Sequence, residues 1–177
     1  MQAIIFLGTL KSGSSRDALR AARKMGLYTI LLTDRKSHLD QRSEFSEVNE
    51  MIPCDLHNLQ EIRLNIIKIK LRFIEIAAIV SFTEAHCLTA CLMADEFGSN
   101  RFTCHAIKNM KNKIISREII STTEYSPGYM VISAQTMLTD IEPVITFLYP
   151  FIIKSPNSTG SADVFKIHNR QELNYYL

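Results

Sequence analysis

The chain has 177 residues, 46% hydrophobic and 21% charged, enough for one folded domain or a domain with part of a second, and this composition excludes a disordered chain. Its 20 Lys and Arg against 18 Asp and Glu leave a formal net charge of +2 with no block of like charges, so a nucleic-acid partner is not expected. No apolar run is long enough to span a bilayer, and the opening apolar stretch meets Gly8 too early for a signal peptide, so a soluble, cytoplasmic protein with no membrane association is expected.

Residues 3–7 form a short continuous apolar run, the pattern of a strand buried on both faces in a parallel sheet. After a polar stretch, Ala18, Leu19, Ala22 and Met25 recur at helical spacing up to Gly26. A second strand is predicted over residues 27–33 with Asp34 at its carboxyl end, a third and shorter one over 51–53, and a helix from about His57 to Arg72. Residues 74–82, rich in β-branched side chains, predict a fourth strand, and 83–97 a helix ended by Gly98. Strands alternating with helices predict an α/β fold, a Rossmann-like doubly wound parallel sheet over residues 1–102, with its ligand edge at the strand carboxyl ends.

From Cys104 to about Ser121 the chain reads as short helical segments, so residues 103–126 are expected to be a helical connector ending near the turn of Ser126, Pro127 and Gly128. Beyond it, a strand is predicted over 129–133, a helix over 134–147 and a break at Pro150. Phe151 to Lys154 then predict a strand paired with Val164 to Ile167 across a loop, and a last helix begins at Arg170. Residues 127–177 are therefore expected to form a smaller α+β subdomain.

The loop from Gly8 to Ser15 carries two glycines at P-loop spacing, but Ser14 stands where a phosphate-binding lysine is required, and the three-glycine dinucleotide pattern is missing. A turn and helix cap at Gly13, Ser14 and Ser15 is as good a reading as a ligand role. Cys87 and Cys91 are four apart beside His86, yet a closed zinc site needs four ligands, so core packing is favoured and no metal site is expected. The four cysteines, Cys54, Cys87, Cys91 and Cys104, read as reduced thiols, and the five histidines form no hydrolase signature.

The informative stretch is the apolar strand closed by Lys154, the small-residue loop of Ser155, Pro156, Asn157, Ser158, Thr159, Gly160 and Ser161, and the strand from Val164. A lysine at a strand end supplies a directed positive charge, and small loop residues let backbone N–H groups and hydroxyls approach phosphate oxygens. By itself the segment reads equally as a surface hairpin with a polar turn.

Four passages, GTLKSGSSRDALRAARKMGLYTILLTDR, IVSFTEAHCLTACLMADEFG, NKIISREII and PFIIKSPNSTGSADVFKIHNRQEL, in this order, resemble the ATP-grasp superfamily, in its carboxylate-amine and amino-acid ligase branch. The resemblance covers nearly the whole chain. It implies that Lys113 and Lys154 reach the phosphates of ATP, that Arg117 accompanies Lys113, and that Ser158, Thr159, Gly160 and Ser161 form the flap over the β- and γ-phosphates. Thr83 and Glu84 resemble a turn lining the substrate side. Many relatives have a glycine near position 163, where this chain has Asp163.

Such a ligase activates a small-molecule carboxylate as an acyl phosphate with ATP and joins it to an amine. After Lys154 the only acidic residues are Asp163 and Glu172, too few for the Mg²⁺ ligands of that chemistry. The resemblance therefore implies a partial ATP-grasp subdomain, truncated or split, with ATP as cofactor and Mg²⁺ only if a missing C-terminal half is supplied. A complementing polypeptide or a homo-oligomer follows as the expected partner. Two rivals are a non-catalytic binding or regulatory module derived from the same fold, and an ordinary nucleotide-cofactor or flavodoxin-like domain suggested by the first loop and Asp34.

Overall fold

The computed structural model describes residues 2–72, 75–99, 103–133, 149–158 and 160–176. The chain forms two compact units, Met1–Ile107 and Lys108–Leu177.

The first unit alternates strands and helices: β1 (Gln2–Leu7), α1 (Ser14–Lys24), β2 (Tyr28–Thr33), α2 (Lys36–Asp40), a 3-10 turn (Arg42–Glu44), β3 (Glu50–Pro53), α3 (Leu59–Leu71), β4 (Glu75–Val80), a second 3-10 turn (Glu84–His86) and α4 (Cys87–Glu96). The strands make one sheet in the order β3-β2-β1-β4, and all pairs are parallel. The expected doubly wound α/β fold is observed.

Side chains of successive strand residues leave on opposite faces, so β1 feeds two cores. Ala3, Ile5 and Leu7 join Ile30 and Leu32 of β2 under Ile62, Ile66 and Ile69 of α3 and Ala90, Met93 and Ala94 of α4. Phe6 and Leu31 face the other way, onto Leu19 and Ala22 of α1 and onto Phe45 and Val48. Each fully buried Leu, Ile or Phe contributes about 1.5–3 kcal/mol of transfer free energy, so these two layers fix the sheet's position between its helices.

Where α3 begins, the side chain of Asn58 accepts from the backbone of Gln60 and Glu61, satisfying N–H groups that a helix start leaves open. The fourth strand is shorter than its apolar run, because Ser81 turns away to bond the Leu7 carbonyl at 2.7 Å. The predicted helix over 83–97 starts as the second 3-10 turn. The segment between β2 and β3, given no elements by its sequence, holds α2 and the first 3-10 turn.

α5 (Cys104–Lys111) runs across the division between the units. The second unit then holds α6 (Lys113–Ile120), an antiparallel hairpin of β5 (Phe151–Lys154) and β6 (Val164–Ile167), and α7 (Arg170–Tyr176). Ile167 and Leu173 are buried where α7 meets β6, and Phe165 stacks on Tyr176 with ring centroids 4.4 Å apart. The predicted strand over 129–133 is not formed, and the segment lies in extended or irregular backbone. The predicted helix over 134–147 lies outside the described residues.

Candidate functional site

In the first unit the strand order changes direction between β1 and β4, the point at which an open parallel sheet leaves a crevice at its carboxyl edge. Gly8, just after β1, has a left-handed φ of +70°, and a Cβ there would stand 3.1 Å from Cδ2 of His86 and 3.4 Å from Oγ1 of Thr83. Backbone at that position must therefore be bare for the two loops to meet. Thr83 Oγ1 lies 2.9 Å from Ser81 Oγ, and the His86 backbone N–H donates to the Thr83 carbonyl at 3.0 Å. Glu84 is exposed on the 3-10 turn that follows.

Thr83 and Glu84 thus sit at the carboxyl edge of the sheet. The sequence marked His86 only as a neighbour of Cys87 and Cys91 and did not single out His57, yet the two rings meet edge to face there at 5.7 Å. Their signal was positional: each follows a strand's carboxyl end by a few residues.

The loop after β1 is closed from within. Ser15 Oγ accepts from the Leu10 backbone N–H at 3.0 Å, and Gly13 is the N-cap of α1, with no side-chain cap. Ser15 is therefore a loop clasp rather than the cap expected of this stretch. Behind it, Arg16 is 6% exposed and pairs with the carboxylate of Glu47, itself 6% exposed. The same guanidinium donates to the carbonyls of Lys11 and Glu44 and lies over the Phe45 ring at 4.2 Å from its centroid.

In the second unit the hairpin register sets Lys154 opposite Val164 and Ile152 opposite Lys166. Ile152, Lys154, Val164 and Lys166 therefore share one face, with the two lysines as diagonal neighbours about 7–8 Å apart, somewhat less at Cβ. All four are exposed, and among the described residues no hydrogen bond or ion pair engages either ammonium. Lys166 was missed because its place on this face depends on the register.

The Ser155 backbone N–H closes the base of the loop by donating to the Asp163 carbonyl at 3.2 Å. Gly160, Ser161 and Asp163 all have left-handed backbone, with φ of 62°, 62° and 52°. This accounts for the glycine expected near position 163, since Asp is among the few side chains that tolerate this region. Successive backbone N–H groups in αR-αL or turn conformations can form an anion-binding nest. Thr159 lies outside the described residues.

Lys113 comes to this loop from 45 residues earlier: its ammonium donates to the Ser158 carbonyl at 2.5 Å, and to Ser158 Oγ and the Pro156 carbonyl at 3.5 Å each. Its backbone N–H also donates to the Pro156 carbonyl, at 3.0 Å. Asn112 caps α6 by accepting from the backbone of Ile114 and Ile115 at 3.0 and 3.2 Å. Arg117, four residues on, shares the helix face of Lys113.

Among the described residues no group of three or more His, Cys, Asp or Glu could hold a metal ion, and no helix is long and apolar enough to cross a membrane. Cys91 is buried. Burial, with contacts to Cys91 and to Asp95 Oδ2 at 3.3 Å, pushes the Cys104 thiol up to about 12, so it is protonated at neutral pH and a poor nucleophile.

No protein-family model and no curated protein matches the chain. Solved structures do. N5-carboxyaminoimidazole synthetase from Staphylococcus aureus, complexed with ADP, aligns with 99% of this chain and 44% of its own at 19% identity and a TM-score of 0.73. L-amino acid ligase from Bacillus licheniformis aligns over 99% of this chain and 41% of its own, at 15% identity and a TM-score of 0.69. The biotin carboxylase domain dimer of 2-oxoglutarate carboxylase from Hydrogenobacter thermophilus, with MgADP, ADP and bicarbonate, covers 98% of this chain and 39% of its own at 16% identity and a TM-score of 0.65. The chain therefore has the fold of the N-terminal part of ATP-grasp enzymes, and it spans less than half the length of these solved structures.

Proposed function

We propose that this chain is the nucleotide-binding leading portion of an ATP-dependent carboxylate-amine ligase, with the phosphates of ATP held at the hairpin loop of the second unit. The observation that carries the reading is the convergence of Lys113 and Ser158 on one loop, next to an exposed Lys154, in a fold whose solved examples include ADP complexes. Lys113, Lys154, Ser158, Thr159, Gly160 and Ser161 form the phosphate site of this reading, and Thr83 and Glu84 the substrate side.

The donor set fits a polyphosphate. Cationic side chains favour charge-assisted hydrogen bonds to phosphate oxygens, and the left-handed loop backbone offers N–H groups without bulky side chains in the way. When bound, ATP supplies the phosphoryl group that activates a carboxylate for attack by an amine. The chain's own part is to hold and orient the phosphates. The described residues do not supply carboxylates that fit Mg²⁺, so no step is assigned to a metal on them. Turnover on small-molecule acid and amine substrates then requires further polypeptide, in cis or in trans.

Titration calorimetry of the full chain with ADP tests the reading. ADP is expected to bind, and Lys154→Ala to weaken it roughly ten- to a hundredfold, the worth of one hydrogen bond between charged groups. Preference for NAD over ADP, or an affinity unchanged in the variant, would overturn it.

A further inference from the structure

We infer that Lys113 is a positioning residue that clasps the 155–158 arm of the loop, and that the direct cationic contact to phosphate falls to Lys154. This division of labour rests on the nucleotide reading above. Lysine ammonium has three N–H donors. In this structure three acceptors on the loop surround it: the Ser158 carbonyl, Ser158 Oγ and the Pro156 carbonyl. The backbone of Lys113 adds a fourth tie, to the Pro156 carbonyl.

Nor does the start of α6 offer free donors to an anion. Its first four backbone N–H groups are already committed: Lys113 to Pro156, Ile114 and Ile115 to the Asn112 side chain, and Ser116 to the Asn112 carbonyl at 2.9 Å. A helix start attracts phosphate through open amides, and these are closed. What the Asn112 cap does is fix the first turn, which holds Lys113 at one angle to the loop. Lys154 presents the opposite case, exposed at a strand end and unengaged among the described residues.

A phosphate contact by Lys113 would first have to release Ser158. Removing the lysine therefore acts on the loop even when no nucleotide is present, and this separates the two roles. Hydrogen exchange of the full chain without nucleotide, read on peptides spanning the 151–163 hairpin and on β1 as control, is the test. Lys113→Met is expected to speed exchange in the loop roughly ten- to a hundredfold, while Lys154→Met leaves it at the wild-type rate and weakens ADP binding alone. Lys113→Arg, which keeps N–H donors, should restore part of the protection.

Wild-type loop exchange in Lys113→Met would overturn the inference, and weaker ADP binding alongside it would make Lys113 a direct ligand. Should the methionine variant lose protection throughout the second unit, the wild-type nitrogen-15 signal of Lys113 Nζ decides. A slowly exchanging ammonium is expected, and a freely exchanging one sinks the clasp. Failure of all proteins to bind ADP would count against the nucleotide reading and leave the clasp standing.

Discussion

His38 shows what burial does to one side chain. It is 1% exposed, its ring lies 4.9 Å from that of Phe45, and its Nδ1 has no hydrogen-bond partner among the described residues. Burial first, then the charges of Arg35, Lys11 and Arg16 against the opposing Asp34, hold its pKa below the ordinary histidine value. The folded chain keeps the ring neutral while the unfolded chain takes up a proton near pH ~6.5. Stability from this group is thus complete above that pH and lost as pH falls below it. Thermal unfolding at pH 7.5 and 5.5 should show a lower midpoint at the acid value, and His38→Phe should shrink the difference. An undiminished difference in the variant would assign the effect to other groups. Nothing in the polar text around His38 marks it as buried, because its environment is made by Phe45 and Arg16 from elsewhere in the chain.

Among the elements, those whose folding depends on their own residues were readable. β1 and β2 are buried from both sides and so appear as plain apolar runs, β4 is an apolar run that is mostly half-buried, and the isoleucines of α3 recur at helical spacing. Residues 129–133 carry strand-forming side chains and even alternate in exposure, but a strand exists only by its ladder, and among the described residues no β-ladder includes them. The loop side of the candidate site was equally half-visible: Lys154 and its small residues stood out, whereas the approach of Lys113 and the facing of Lys166 needed the fold. The passage between β2 and β3 was silent because its organiser is the Arg16–Glu47 pair, which ties α1 to that crossover. Taking away one member of a buried ion pair leaves an uncompensated charge, at a cost of about 3–5 kcal/mol. Glu47→Ala should therefore lower the unfolding midpoint sharply in calorimetry, and a shift of a degree or less would show the pair to be dispensable.

At the scale of the whole molecule, the second unit keeps much apolar surface in the open. Ile152 is 52% exposed and Tyr175 81%, with Tyr149, Val164, Phe165 and Tyr176 also accessible around the hairpin and α7. Exposed apolar surface drives association when it is not covered. Light scattering over a concentration series should give masses that rise above the 20.2 kDa of one chain, and Tyr175→Ser with Phe165→Ser should reduce the rise. A constant monomer mass would refute this.

The parallel sheet has one more consequence, in the order of synthesis. Of the sheet's four strands β1 is made before the others, and it is a central strand of the finished sheet, with β2 on one side and β4 on the other, Gln2 facing Glu75. While the nascent chain grows from Thr33 towards Val80, one edge of β1 stays open, and an open apolar strand edge is what foreign chains pair with. The interval in translation between β2 and β4 is thus the exposure of this protein to misassembly, and slow decoding there should be felt as insolubility rather than as lost affinity.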